Sequence, residues 1–309
     1  MMLEEKIAMA QTIRGRDRFG PVSPEELAAL PGTETELHIP VEGGRTVHVY
    51  EERPDHLPEK AALVLNFHGG GFIKGRTDRD RRYCCTIMER LNALVWDVDY
   101  CVAPEAPFPA AVEETYGIIA YAFDHAEKLG VDPAKVILAG HSAGGNLVAA
   151  ACLKNAESHR FSPCCVLMEY FPVDNAASPV ERLSPQLRAD PFWVKRAETE
   201  KLYTDFYVGD ADPAQPLCSP LNAADEALAT FPDCLILSAG EDSLREDTEA
   251  FGEGGCLRYG TANPGGHAWL YHQPYAGLGA GVGSALQVLP GTSIIDWKPE
   301  RSKNWRLNL

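Results

Sequence analysis

The chain lacks any run of 18 apolar residues, so no segment reads as a membrane-spanning helix. It is short of basic charge. There are 28 Lys and Arg against 44 Asp and Glu, a net of −16 with histidine neutral. Phosphate contacts need a basic surface, so nucleic acid is not an expected partner. The same balance argues against docking on an anionic membrane. The opening residues, M-M-L-E-E-K-I-A-M-A, carry acids early and no long apolar core, which does not read as a secretion signal. The nine cysteines are odd in number and contain no C-x-x-C pair. Reduced, mostly buried thiols in a cytoplasmic protein are expected, with no metal site and no cofactor. A phosphate-binding Gly-Lys-Ser/Thr loop is also missing.

What remains is an ordinary globular composition. The 309 residues are 45% hydrophobic and 23% charged, which fits a doubly wound α/β domain of this length. Residues 1–34 read as helical and polar, with Ser23 as an N-cap before Pro24. Residues 35–50 alternate in polarity around Gly43-Gly44 and predict an edge hairpin. Strands are predicted at 61–67, 93–100, 135–139, 164–170 and 234–238. Helices are predicted at 79–92, 110–129 and 142–154. Apolar strands alternating with helices imply a mostly parallel sheet covered on both faces. Residues 174–230 show no strand pattern and read as a helical excursion.

Four motifs carry chemistry. Gly140-His141-Ser142-Ala143-Gly144 follows an apolar strand and opens a helix, the setting that a nucleophile elbow requires. Ser142 is therefore the candidate nucleophile. His68-Gly69-Gly70-Gly71-Phe72 follows a strand, and its glycines let backbone N–H groups approach a substrate oxygen. With the Ala143 N–H they form a candidate oxyanion hole. His68 reads as a support for that loop, as does the turn beginning Asp99-Tyr100-Cys101. Asp242, just past a late strand, is the candidate triad acid, with Glu241 and Asp247 as fallbacks. The base must follow in the order Ser, Asp, His. Only His267 and His272 lie beyond Asp242, and His267, on a Pro-Gly-Gly turn, is the candidate.

Together these residues resemble the hormone-sensitive-lipase-like branch of the α/β-hydrolases, the bacterial carboxylesterases. The motifs are H-G-G-G-F (68–72), D-Y-C-V-A-P-E-A-P-F-P-A-A (99–111), G-H-S-A-G-G-N (140–146) and G-E-D-S-L-R (240–245). The resemblance covers about residues 35–251. It implies an α/β-hydrolase fold with a small helical cap formed by residues 1–34 and 174–230. It implies Ser142 as nucleophile and Asp242 as acid. Gly70, Gly71 and Ala143 become oxyanion donors, with Gly69 in the same loop. Short- to medium-chain acyl esters are the implied substrates, cleaved without a cofactor. His141 replaces the family's usual Asp and reads as a tolerated change.

The pattern breaks in the tail. Residues 1–251 hold 41 acids and 23 bases, whereas 252–309 hold 3 acids, 5 bases and 11 of the 27 glycines. The family's last strand, its H-G-F loop and its C-terminal helix are not legible in 252–309. Read from the second base of each codon, codon choices exist that turn H-A-W-L-Y-H-Q-P-Y (267–275) into T-H-G-F-T-I-N-R-M, and Ile295 then allows a stop. The tail is therefore read as out of frame relative to the family, separate from a hydrolase domain at 1–251. Two rivals to a working esterase follow: a hydrolase-fold binding protein disarmed by that tail, and an amidase or peptidase on the same triad. Nothing in the pattern sets an oligomeric state.

Overall fold

The computed structural model describes residues 1–16, 20–239 and 242–252, and the backbone of 268–273. The chain opens with α1 (Leu3–Arg14) and α2 (Pro24–Ala28). Ser23 caps α2 by accepting the Glu26 N–H, and the Glu26 carboxylate reaches back to the Ser23 N–H. An antiparallel hairpin follows, β1 (Thr33–Val41) and β2 (Arg45–Arg53), turning at Gly43 with φ 79°. Then come β3 (Ala61–Phe67), α3 (Asp78–Leu91), β4 (Leu94–Asp99), α4 (Ala110–Asp124), α5 (Ala126–Leu129), β5 (Val131–His141), α6 (Ala143–Ser158) and β6 (Cys165–Glu169). The helical excursion holds α7 (Pro179–Arg182), α8 (Pro185–Arg188), α9 (Pro191–Val208) and α10 (Asp225–Leu228). β7 (Cys234–Ala239), α11 (Arg245–Phe251) and β8 (Ala268–Gln273) complete the described elements.

The eight strands form one sheet in the order β1-β2-β4-β3-β5-β6-β7-β8. β1, β2 and β4 pair antiparallel, and every later pair is parallel. The central strands are apolar on both faces because both are covered. Leu63, Leu65, Phe67, Leu138 and Val166 pack in the cluster that holds α4 and α6 residues. Val64, Val95 and Ala139 pack on Tyr83, Cys84, Ile87 and Met88 of α3 on the other face. Burying each Leu, Val, Ile, Phe or Met side chain among these stabilises the fold by roughly 1.5–3 kcal/mol.

The sequence pattern and the fold differ in four places. The helix expected at 110–129 is two helices, because His125 leaves helical geometry at φ −114°, ψ 13°. The strand at 135–139 begins earlier, at Val131, which pairs with Ala61 before a register shift. The helix expected from Ser142 starts one residue later, since Ser142 sits at φ 52°, ψ −124°. The tail, read as having no strand, supplies β8, whose backbone pairs along all of β7.

One polar seam crosses the sheet near its edge. Arg76, after the glycine loop, donates to Asp97 Oδ2 on β4 over 2.6 Å and to Glu34 Oε2 on β1 over 2.5 Å. Glu52 Oε1 on β2 lies 3.6 Å away, and the guanidinium covers the Tyr50 ring at 3.8 Å. Asn66 on β3 extends the seam by donating to Asp97 Oδ1 over 2.8 Å.

Candidate active site

Ser142 stands where β5 turns into α6. A serine at φ 52° is strained, and strain of this kind concentrates at functional turns. The neighbouring glycines make the turn possible. A Cβ on Gly140 would lie 2.5 Å from Gly144 O, and one on Gly144 would lie 1.9 Å from Phe67 O. The Ser142 N–H is held by Glu169 O at 2.9 Å, tying the turn to β6. Ala143 is the first residue of α6, so its N–H belongs to the helix N-terminus, where developing negative charge is favoured.

The glycine loop lies directly against this turn. A Cβ on Gly69 would stand 3.2 Å from Ser142 Cβ and 3.0 Å from His141 Cδ2. Gly70 and Gly71 have φ 131° and 61°, values that disfavour any side chain. Gly70 O accepts the N–H groups of Ile73 and Lys74. Tyr203 of α9 covers the loop so closely that a Cβ on Gly71 would be 2.4 Å from its ring.

Two histidines hold the Gly69 peptide. His68 Nδ1 lies 2.7 Å from Gly69 O, and His68 Nε2 lies 3.4 Å from Asp99 Oδ1. Burial works against charge on His68, but Asp99, Asp80 and the Gly69 carbonyl outweigh it and raise its pKa. From the other side, His141 Nε2 accepts the Gly69 N–H at 2.9 Å. Asp80 Oδ1 stands 3.5 Å from the same nitrogen. Burial would raise the Asp80 carboxyl; charged His68 and two hydrogen bonds from Thr77 outweigh it and hold it well below the usual range. Among the described residues, His141 Nδ1 and Glu169 Oε2 are buried without a hydrogen-bond partner.

The expected support roles hold for His68 and for the turn after Asp99. Tyr100 donates its hydroxyl to His68 O over 2.7 Å, and the Ala103 N–H meets Phe72 O at 2.8 Å. His141, read as a tolerated replacement, accepts the Gly69 N–H and so contacts the loop directly. No spacing rule reveals that contact, because it joins residues 72 apart in sequence. Asp80, Glu169 and Tyr203 were also not legible, since each meets the loop or turn through tertiary packing.

Asp242 follows β7 at the same sheet edge as Ser142. His141, Glu169 and Leu237 occupy one row across β5, β6 and β7. Its Oδ1 accepts the Leu244 N–H at 2.8 Å, and its Oδ2 lies 3.9 Å from Arg196 Nη2 of α9. The fallback Asp247 is engaged elsewhere. It is buried, accepts the Val173 N–H and pairs with Arg182 of the excursion. Glu241 and His267 lie outside the described residues. Ala268, which follows His267, pairs with Cys234 at the start of β7; His272 pairs with Ser238, near the end that leads to Asp242. Glu36, His38 and His48 form the one group of possible metal ligands found among the described residues. They lie on β1 and β2, with β1 four strand spacings, about 19 Å, from β5.

The model of a family described by its alpha/beta hydrolase fold matches residues 64–254. The chain belongs to the α/β-hydrolases. Within that family, a carboxylic ester hydrolase, LipN of Mycobacterium tuberculosis, is 32% identical over 234 residues, covering 72% of this chain and 60% of LipN. Human hormone-sensitive lipase is 34% identical over 162 residues, 52% of this chain and 14% of the lipase. These matches bear out the hormone-sensitive-lipase-like resemblance. The solved structure of carboxyl esterase 2 from the fungus Tuber melanosporum superposes with a TM-score of 0.72 at 25% identity, covering 86% of both chains. This α/β-hydrolase chain spans about three fifths of the length of the first curated relatives it matches.

Proposed function

We propose that the chain hydrolyses short- to medium-chain carboxylic esters through an acyl-enzyme on Ser142. The observation that carries this reading is the strained Ser142 turn with Gly69 packed against it. The names of the mycobacterial and fungal relatives support ester hydrolysis. Ser142 Oγ attacks the acyl carbonyl, and the N–H groups of Gly70, Gly71 and Ala143 receive the oxyanion, with Gly69 shaping their loop. Asp242 orients the base, which takes the serine proton and returns it to the leaving alcohol. No step calls for a metal or cofactor.

The base comes from the tail, from His267 or His272. Sequence context favours His267, and strand register favours His272, which pairs opposite Ser238. α1 and the excursion serve as the cap that walls the acyl pocket. Arg14 of α1 supports this, bonding Ile73 O at 2.6 Å and Glu105 at 2.6 Å, as does Tyr203 over Gly71. The eight described cysteines are thiols, in keeping with a cytoplasmic location. Among the described residues no helix is long and apolar enough to cross a membrane.

The test is hydrolysis of p-nitrophenyl acetate, butyrate and octanoate by the full chain, with Ser142→Ala, His267→Ala and His272→Ala beside it. Turnover that survives Ser142→Ala overturns the assignment. Loss in one histidine variant alone identifies the base. A folded chain with no turnover supports the reading that the tail has disarmed the enzyme.

A further inference from the structure

The outer face of the edge hairpin carries a second arrangement of reactive side chains. His38 and His48 are direct cross-strand partners, so both project from one face of the sheet. Glu36, two residues before His38, shares that face. The imidazole rings stack with centroids 4.6 Å apart and planes at 25°. Glu36 Oε1 approaches His48 Nε2 to 2.5 Å. One ligand atom from each of the three residues lies within 4.8 Å of the other two. A third strand adds to this: β4 pairs Asp99 with His48 and sets Asp99 Oδ2 3.8 Å from His48 Nδ1.

We propose that Glu36, His38 and His48 bind a zinc-like divalent transition-metal ion, with Asp99 orienting His48. Two imidazoles and one carboxylate are a ligand set suited to Zn²⁺, while Mg²⁺ and Ca²⁺ take oxygen ligands. The far-side carboxylate is the usual companion of a metal-bound histidine. It holds the proton on one ring nitrogen and leaves the other lone pair for the ion. Here Asp99 Oδ2 lies on the Nδ1 side at 3.8 Å, and must close by under about 1 Å to hold that proton, while Nε2 is turned toward Glu36. Nε2 is buried and makes no well-formed hydrogen bond, although Glu36 is close. Ligand atoms around tetrahedral zinc stand about 3.3 Å apart, so Glu36 must retreat by under about 1 Å. It has room to do so, because its side chain is 56% exposed. Three protein ligands leave a fourth position for water.

The occupied site would tie β1, the edge strand, to β2 across their shared register. Ligand spacing along the chain gives no hint of it, since His38 and His48 meet only through the hairpin's pairing. The site stands on this geometry alone and does not depend on the Ser142 assignment.

The experiment titrates the full chain, stripped with chelator, with Zn²⁺ by calorimetry and with Co²⁺ by visible absorption. The expected result is one strong site per chain, with the absorption of low-coordinate Co²⁺ and no response to Mg²⁺. His38→Asn and His48→Asn should each weaken binding by about tenfold or more, and Glu36→Gln should weaken it less. His38 is exposed, so its variant should melt with the metal-free parent and report binding alone. A titration with no one-to-one event overturns the proposal. So does an event that survives both histidine variants, since other groups such as thiols then hold the ion.

Discussion

Gly69 donates its N–H to His141 Nε2, so the glycine loop and the residue before Ser142 form one hydrogen-bonded unit. The bond needs an imidazole nitrogen that accepts. Position 141 thus helps to set the conformation of the glycine loop, the proposed oxyanion hole. His141→Leu should leave a folded protein whose kcat on p-nitrophenyl butyrate falls by about tenfold to a hundredfold, with KM changed less. His141→Asn keeps an acceptor and should recover part of the loss. Equal rates for the Leu variant and the parent would show that the loop holds its shape alone.

Asp242, the proposed triad acid, and Asp247 should separate chemistry from stability. Asp242→Asn should lower kcat by about 10⁴ with little change in melting temperature. Asp247 is buried beside Arg182 and the Val173 N–H. Arg182→Met strands that carboxylate and should cost about 3 kcal/mol of stability, read by urea unfolding. Interchanged effects would exchange the two roles.

Tyr203 and Gly71 test the proposed wall of the acyl pocket. Gly71→Ala places a methyl into the Tyr203 ring and imposes φ 61° on an alanine. It should cut turnover sharply, with about 1–2 kcal/mol of strain from the backbone alone. Tyr203→Ala removes the ring and should raise the octanoate-to-acetate rate ratio. Adding it to Gly71→Ala should restore some activity by relieving the contact.

Asp80 gives a pH dependence with a defined sign. Burial opposes its charge, but charged His68 and the Thr77 hydroxyl and N–H hold its folded pKa below the usual carboxylate range. A depressed carboxyl contributes stability above its unfolded pKa, and that contribution is lost as pH falls through the folded value. Stability should therefore decline below about pH 4, and Asp80→Asn should be less stable at neutral pH and flatter in acid. Thermal melts between pH 2.5 and 7 read both effects.

The sheet core and the Ser142 turn were legible because each rests on local pattern. Residues 61–67 form an apolar run, and G-H-S-A-G sits between a strand and a helix. The hairpin at Gly43 was legible for the same reason. The His141–Gly69 bond, the Arg76 seam and the approach of Asp99 to His48 were not. They depend on which strands become neighbours, and β2 lies beside β4 rather than β3. The tail resisted reading because its glycines and sparse charge leave little periodicity. β8 is set by its backbone pairing with β7 rather than by a pattern of its own.

The Arg76 seam has a consequence for how the molecule breathes. An edge hairpin normally frays first, and its amides exchange with solvent through small local openings. Here β1 cannot lift away without taking Glu34 from a buried guanidinium that also serves Asp97 and lies near Glu52, so the Arg76 charge loses one of its carboxylate partners. Fraying of the outermost strand is thereby linked to the opening of β4 and of the segment that leads out of the glycine loop. The amides of β1 near Glu34 should exchange with deuterium at rates close to those of the central strands, making the edge and the interior one cooperative unit.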